Sequence, residues 1–128
     1  MTIRSGVLGL AGLALCIAQA AHAQEVYKIG TAVGLTGYAA ASDRGWRDGQ
    51  LLAVDMLNAK GGLAGKKVEL IVEDNKSEPQ ESVVVYRKMM SNDNVQAFAS
   101  GCVSAGNFAA AGAVVRAKIP MVLCSILP

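Results

Sequence analysis

The side chains that could carry chemistry in this sequence are few, and their spacing excludes most catalytic sites. The 128 residues include one histidine, His22, and three cysteines, Cys16, Cys102 and Cys124. Residues 24–128 contain no histidine, which excludes Ser-His-Asp catalysis, Cys-His catalysis and histidine-ligated metal sites from that segment. The separation of the last two cysteines matches no zinc-ligand pattern. We therefore predict no catalytic residue, no metal site and no cofactor.

Acidic pairs and glycine-rich turns give no enzyme signature either. Glu73 and Asp74 are adjacent at the end of a predicted strand, so their side chains diverge, and a solvated loop edge fits them better than an acid–base pair. The glycines of residues 30–37 lack the G-x-G-x-x-G spacing of a dinucleotide site. Residues 65–67 lack the rest of a phosphate-binding loop. A secreted Rossmann-like enzyme, which would need one of these features, is the least favoured interpretation.

The first part of the chain has the pattern of a secretory signal peptide. A basic residue, Arg4, precedes the apolar run of residues 7–18, and an A-x-A motif ends at Ala23. This order of basic, apolar and small residues predicts cleavage between Ala23 and Gln24 and a periplasmic location. An uncleaved membrane anchor is the alternative, because about 20 residues can span a bilayer.

Composition and charge exclude other classes of protein. Lys and Arg number 12 and Asp and Glu number 10, so the formal net charge is +2. A charge this small and balanced does not hold a chain to nucleic acid. Hydrophobic residues make up 52% of the chain, too many for a disordered segment. Aromatic residues make up only 5%, and a mainly aliphatic apolar set suits helices packed on a buried sheet.

Strand-like and helix-like segments alternate along residues 26–124. The predicted strands cover residues 26–33, 67–72, 95–100 and 121–124. Helices are predicted from near Asp43 to the glycines at 61 and 62, from a cap at Ser77 to Asn92, and after Ala105. The order βαβαβαβ predicts an α/β fold with a parallel sheet and flanking helices.

Hydrophobic periodicity predicts which helix faces are buried. The predicted stripes are Trp46, Ala53, Val54 and Leu57 on the first helix, Val83, Tyr86 and Met90 on the second, and Phe108, Ala111, Gly112 and Val115 on the third.

Ligands of open parallel sheets bind beyond the carboxyl ends of the strands. Four loops lie there, at residues 34–42, 73–77, 101–105 and from 125 onward. Ser104 stands where the third helix begins, so its hydroxyl and the free first-turn amides can hold a carboxylate. A simple helix cap is the alternative role for this serine. Tyr38 lies in the glycine-rich first loop, and no pattern in the sequence predicts that it is buried in the core. It is therefore a candidate for ligand contact.

Cys102 and Cys124 are predicted near the carboxyl ends of neighbouring strands. Such strands run about 4.8 Å apart, within the Cα separation that a disulfide allows. An exported chain meets an oxidising compartment, where such thiols can pair, but pairing is not required, because cysteine is also a normal core residue.

Three motifs resemble the branched-chain amino acid type of periplasmic substrate-binding protein. They are residues 33–37 (VGLTG), residues 55–68 with the block NAKGGLAGKK, and Asp74 followed by Pro79. The resemblance implies a type I periplasmic binding protein fold, with two α/β lobes joined by a hinge. It also implies a receptor without catalysis, which passes a small solute to the permease subunits of an ABC importer. Residues 24–128 would then be the N-terminal part of lobe one, and the chain a fragment of a longer protein.

Site residues follow from the resemblance position by position. Ser104 matches the serine whose hydroxyl and amide hold the ligand carboxylate, and Ser125 matches a position whose carbonyl takes the ligand ammonium. Leu127 stands where amino-acid binders often carry threonine, and Ser42 where they often carry an aromatic residue. These departures leave amides, urea and aromatic acids open beside amino acids. Cys102, Val103 and Ala105 belong to the same ligand-lining loop as Ser104.

One further alternative uses the same fold in a different protein class. A ligand-binding sensor domain of a membrane receptor would keep residues 1–23 as an anchor. A mature N-terminus at Gln24 would favour the periplasmic receptor instead.

Overall fold

The computed structural model describes residues 26–124, which form a parallel sheet with helices on both faces. The elements are β1 (Val26–Val33), α1 (Ala40–Ala59), β2 (Lys67–Asp74), α2 (Pro79–Ser91), β3 (Ala97–Ala99), α3 (Ser104–Arg116) and β4 (Met121–Val122). The four strands are parallel and lie in the order β2-β1-β3-β4. The predicted α/β fold with a parallel sheet is confirmed.

The two longest strands, β1 and β2, are aligned along their whole length. Val26 pairs with Lys67, and the register runs unbroken to Val33 opposite Asp74. Strand β2 therefore extends two residues beyond its predicted end at Val72. By contrast, β3 and β4 contain only three and two residues. The strongest pairing thus brings the ends of β1 and β2 to the same edge of the sheet.

The hydrophobic core fills one face of the sheet, beneath α2 and α3. The rings of Tyr86 and Phe98 meet edge to face, with their centroids 4.8 Å apart. The whole buried cluster consists of Ala32, Val85, Tyr86, Met89, Val95, Phe98, Ala110 and Val114. It draws on β1, β3, α2 and α3, so these elements form one packed unit.

The predicted buried faces of α2 and α3 are only partly right. On α2, Tyr86 is buried as predicted, but Val83 and Met90 are half-buried, and the helix also buries Ser82, Val85 and Met89. On α3 the predicted face is wrong: Phe108 is 45% exposed and Val115 is 72% exposed. The residues that α3 buries are Gly106, Asn107, Ala110 and Val114.

Close helix packing explains the error on α3. A Cβ atom added to Gly106 would collide with the Ser82 side chain, so α3 approaches α2 through its smallest residues. Asn107 lies on the same face, where its amide is hydrogen-bonded. A periodicity that counts only apolar side chains misses this polar residue and rotates the predicted face.

Helix α1 covers the other face of the sheet and buries little of its own surface. It begins at Ala40, earlier than predicted, and Asp43 is its one buried residue. Trp46, predicted to be core, is 38% exposed, which contradicts that prediction. Val54 and Leu57 are half-buried and, with Ile29 and Leu70, line an apolar groove between the helix and the sheet. Within residues 26–124, no second helix packs beside α1 on this face.

The NAKGG block forms structure at the amino ends of the strands. The Asn58 amide nitrogen donates to the Val68 carbonyl at 2.8 Å, and the Asn58 amide oxygen accepts from the Val68 N–H at 2.8 Å. The side-chain amide of Asn58 thus pairs with both backbone groups of Val68, as a residue of a neighbouring strand would, and fixes where β2 begins. The motif therefore positions α1 against β2, at the edge away from the predicted ligand loops.

Candidate functional site

The candidate site is the sheet edge where all four strands end. We call it the carboxyl edge, and it consists of the loops at residues 34–39, 75–78, 100–103 and 123–124. In the spatial order of the strands, each loop is linked to the next by a different contact.

Asp74 links the loop after β2 to the loop after β1. Its Oδ1 accepts hydrogen bonds from the N–H groups of Leu35 (2.9 Å), Thr36 (3.3 Å) and Lys76 (2.8 Å), and its Oδ2 accepts from the Thr36 hydroxyl (2.8 Å). Burial raises the pKa of Asp74, but the bonds from Thr36, Lys76 and Leu35 outweigh it and hold the pKa below its usual value. Asp74 therefore organises the first loop, a role that goes beyond the predicted solvated edge.

Glu73 and Asp74 diverge, as their positions on a strand predict. The Glu73 carboxylate accepts a hydrogen bond from the Lys88 ammonium at 2.6 Å and takes no part in the contacts of Asp74. The two carboxylates do not form an acid–base pair.

Ser77 adds a second link between the same two loops. Its hydroxyl donates to the Thr36 carbonyl at 2.6 Å and accepts from the Ala39 N–H at 3.1 Å. The prediction that Ser77 caps α2 is therefore wrong. The N-cap is Glu78, and no side chain caps that helix end. The hydroxyl is instead used to hold the first loop in place.

Asp43 links the loop after β1 to the loop after β3. Its side chain is fully buried. One carboxylate oxygen accepts from the Gly34 N–H at 2.7 Å, and the other accepts from the Cys102 N–H at 3.1 Å. Asp43 lies in the first turn of α1, where the helix dipole favours a negative charge. Sequence reasoning used this residue only as a helix start and missed its contacts.

A disulfide between Cys102 and Cys124 links the loop after β3 to the end of β4. Their Cα atoms are 5.0 Å apart. The sequence left pairing and free thiols open, and the structure contains the bond. The predicted placement of both cysteines beside the carboxyl ends of neighbouring strands is confirmed.

A buried polar cluster supports the third loop from below. The Tyr86 hydroxyl donates to the Asn107 amide oxygen at 2.9 Å and lies 2.6 Å from the Ser100 hydroxyl oxygen. The Asn107 amide nitrogen donates to the Gly101 carbonyl at 2.8 Å. Burial raises the pKa of Tyr86 to about 12, although the Ser100 bond opposes it. The cluster is therefore neutral near pH 7 and serves as a support for the loop.

Ser104 is the first residue of α3 and is half-buried at the carboxyl edge. The N-cap is Val103, and no side-chain hydrogen bond caps the helix, so the interpretation of Ser104 as a cap is wrong. The first turn also lacks an acidic residue. The first amides of a helix have no partner inside it. This end of α3 therefore combines a hydroxyl with N–H donors that have no partner inside the helix.

The other predicted site residues are distributed unevenly. Tyr38 is 77% exposed in the loop after β1. Val103 is buried, whereas Ala105 is exposed. Ser42 is exposed, and its hydroxyl donates to the Ala39 carbonyl at 2.9 Å. The remaining predictions fall outside the described residues: Ala23, Gln24, Ser125 and Leu127.

Among residues 26–124, no group of three or more His, Cys, Asp or Glu side chains is placed to hold a metal ion. None of the helices in this part of the chain is long and apolar enough to cross a membrane.

Comparison with known proteins identifies the fold and the family. A family model described as periplasmic binding protein matches residues 26–127. A Leu/Ile/Val-binding protein, BraC3 of Rhizobium johnstonii, is 37% identical over 92 residues, which cover 72% of this chain and 24% of that protein. An amino acid binding protein of Pseudomonas aeruginosa is 33% identical over 91 residues, which cover 70% of this chain and 24% of that protein. The chain thus spans about a quarter of the length of the curated relatives it matches.

Solved structures of substrate-binding proteins share the fold. The branched-chain amino acid transporter substrate-binding protein LivJ of Streptococcus pneumoniae, in complex with isoleucine, aligns with a TM-score of 0.76 and 33% identity over 79% of this chain and 29% of LivJ. A solute-binding protein of an ABC transporter from Rhodopseudomonas palustris, in complex with 3,4-dihydroxybenzoic acid, aligns with a TM-score of 0.67 and 25% identity over 78% of this chain and 27% of that one.

Proposed function

This chain belongs to the periplasmic binding protein family, and from that premise we propose that it forms part of an exported solute receptor of an ABC importer. In this proposal residues 1–23 are a cleaved signal peptide, and residues 24–128 are the N-terminal part of lobe one, located in the periplasm. The permease subunits of the importer would receive the solute. The family is a solute-binding type and in general non-catalytic, and we propose binding without catalysis for this chain too.

The observation that carries the proposal is the uncapped start of α3. Ser104 begins that helix without a capping bond, and no acidic side chain lies in the first turn. A hydroxyl with free amides at the positive end of a helix attracts a carboxylate. The loop that leads into this turn is fixed by Asp43 and by the disulfide. A receptor site needs this kind of fixed donor set, because preorganised donors lower the cost of binding.

We propose a small carboxylate-bearing solute, either an amino acid or an aromatic acid. The two solved structures described above contain carboxylic acids as ligands, isoleucine and 3,4-dihydroxybenzoic acid. Amides and urea lack the anionic group that the start of α3 favours. Exposed Tyr38 offers a ring at the same edge for an apolar or aromatic side of the solute.

The test is a titration of the isotope-labelled chain followed by NMR. L-Isoleucine or 3,4-dihydroxybenzoate should shift the amide signals of residues 36–38 and 102–105 and leave Gly61 and Gly62, at the opposite edge, unchanged. Affinity should be weak, on the order of millimolar, because one lobe encloses only part of a solute. L-Isoleucinamide and catechol, which lack the carboxylate, are the matched probes and should shift these signals much less.

A pair of serine variants sharpens the titration. Ser104→Ala should weaken binding of the carboxylate probe by about tenfold or more, because a hydrogen bond to a charged group contributes roughly 1.5–3 kcal/mol. Ser91→Ala, at the exposed end of α2, is the control and should bind like the unaltered chain. Equal affinity in all three proteins, or shifts unrelated to the carboxyl edge, would contradict the proposed site.

The sensor-domain alternative is separated by the N-terminus of the exported product. Expression in a Gram-negative host should yield a periplasmic protein that begins at Gln24. A membrane-bound product that keeps residues 1–23 would favour the anchored receptor.

A further inference from the structure

Two different contacts hold Cys102 in place at the carboxyl edge. Its backbone N–H donates to the buried carboxylate of Asp43, and its side chain is bonded to Cys124. We propose that Cys102 is a positioning residue for the solute site, and that Asp43 and Cys124 act through it to fix Ser104 before the solute binds. This inference rests on the proposed function and adds the groups that set its affinity.

The Asp43 contact is built for placement, because both carboxylate oxygens are used by backbone donors. The oxygens accept hydrogen bonds from the N–H groups of Gly34 at 2.7 Å and of Cys102 at 3.1 Å, in the loops that follow β1 and β3. Asp43 is also the one residue that α1 buries. A long helix with one buried side chain, directed at the ends of two strands, does little for the core. Its buried contact sets the relative position of two loops.

The packing beside Asp43 leaves no room for a side chain at Gly101. A Cβ atom added to Gly101 would lie 2.8 Å from an Asp43 carboxylate oxygen and 2.7 Å from the Ala32 carbonyl oxygen. The Gly101 N–H donates to that same carbonyl at 3.1 Å. The residue before Cys102 is thus packed against the end of β1, which restricts the path of the chain into Val103 and Ser104.

The disulfide holds a part of the sheet that has few other contacts. Strand β4 pairs with β3 through only two residue pairs, Phe98 with Met121 and Ala99 with Val122. Val122 is 71% exposed, so burial adds little to this pairing. The bond from Cys102 to Cys124 lies just beyond the last of these residue pairs, at the carboxyl edge. Breaking it would remove one of the two contacts that hold Cys102 and would release the end of β4 at the point where the solute is expected.

Reduction gives a reversible way to remove this constraint. A dithiol such as dithiothreitol exchanges with the bond: its two thiols supply two protons and two electrons, it becomes a cyclic disulfide, and Cys102 and Cys124 become free thiols. The freed loop must then be ordered again when a solute binds. We expect affinity to fall by about tenfold, the change that corresponds to re-ordering one backbone residue.

The test measures affinity for L-isoleucine and 3,4-dihydroxybenzoate by NMR titration in five samples. These are the oxidised chain, the chain with dithiothreitol, the double variant Cys102→Ser with Cys124→Ser, the isosteric variant Asp43→Asn, and Asp48→Asn. Asp48 lies on the same helix, is exposed and pairs with Arg47, which makes it the matched control. The middle three samples should bind about tenfold more weakly than the oxidised chain, and the control should match it.

A second readout separates positioning from general stability. Ser104→Ala should weaken binding strongly in the oxidised chain and only slightly in the reduced chain, because Ser104 is no longer held in place there. Equal affinity of the oxidised and reduced chains, or an equal effect of Ser104→Ala in both, would overturn the proposal. Loss of the dispersed spectrum in the reduced sample and in both variants would overturn it too, since the contacts would then maintain the fold rather than the site. If the oxidised chain binds neither probe, the proposed function fails first.

Discussion

The two faces of the sheet are built in different ways. Under α2 and α3, Tyr86, Met89 and Phe98 are almost completely buried. On the opposite face α1 leaves Leu52 60% exposed and Met56 54% exposed, and buries only Asp43. The first face supplies most of the packing that stabilises the fold, whereas α1 on the second face is attached largely by hydrogen bonds, from Asp43 at the carboxyl edge and from Asn58 at the amino ends of the strands. The difference shows that α1 serves the site more than the core.

The comparison predicts its largest effect at Phe98. Phe98→Ala removes a buried ring from the cluster and leaves a cavity, so the free energy of unfolding should fall by about 3–5 kcal/mol. Denaturant unfolding followed by circular dichroism measures the change. A loss below about 1 kcal/mol would mean that the α2–α3 face is not the main source of stability.

The next effect is expected at the polar centre of the same face. Tyr86→Phe keeps the ring but removes the hydroxyl that bonds Asn107 and lies beside Ser100. Leaving these buried groups without their partner should lower the free energy of unfolding by about 1–3 kcal/mol. The same denaturation experiment tests it, with Tyr27→Phe, at a half-buried position of β1, as the control. An unchanged free energy would show that the cluster rearranges around the missing hydroxyl.

A smaller effect is expected at Asp74, which anchors the loop that leads into α1. Its carboxylate is stabilised in the folded state, since its pKa lies below the usual value. Its contribution to stability is therefore present above about pH 4 and is lost as the pH falls through the lower folded pKa. Asp74→Asn should cost about 1 kcal/mol at pH 7 and should flatten the acid side of the stability profile.

Hydrogen exchange measures which parts of the chain lose stability in this variant. In Asp74→Asn, the amides of residues 35–44 should exchange faster, whereas those of α2 and α3 should be little changed. An equal acceleration on both faces would remove the distinction between a packed face and an attached one.

The smallest effect should come from the outer surface of α1. Leu52→Ala should change the free energy of unfolding by no more than about 0.5 kcal/mol, as expected for an exposed side chain. A loss of 2 kcal/mol or more would show that a partner surface covers α1 in solution. Size measurements on the same samples would then identify self-association.

The alternation of elements was predictable from the sequence, because strands and helices differ in period and are separated by clear turn residues. Tyr86 was also predictable, as a large residue on a periodic stripe. The buried face of α3 was not, since it depends on Asn107 and on the close approach at Gly106. A polar residue contributes to a buried face only when its partners are known, and those partners are far away in the sequence.

The candidate site shows the same limit. Ser104 and the pair of cysteines could be placed at the carboxyl edge, because the topology of a parallel sheet decides where loops meet. Asp43 and Asp74 could not be assigned, because their partners are backbone N–H groups in the loops after β1 and β3. Such donors carry no sequence signature. The available signal was weak: an acidic residue shortly after a glycine-rich loop, and another at a strand end.

The hydrogen bonds of Asn58 have a consequence for how such proteins change over generations. The block that makes the sequence recognisable ties α1 to Val68 at the amino ends of the strands. The groups expected to meet the solute lie at the opposite end. Mutations can therefore change which solute is bound without changing the recognisable block. The block can then persist in descendants that bind a different solute. A shared block therefore indicates a shared scaffold and does not indicate a shared ligand.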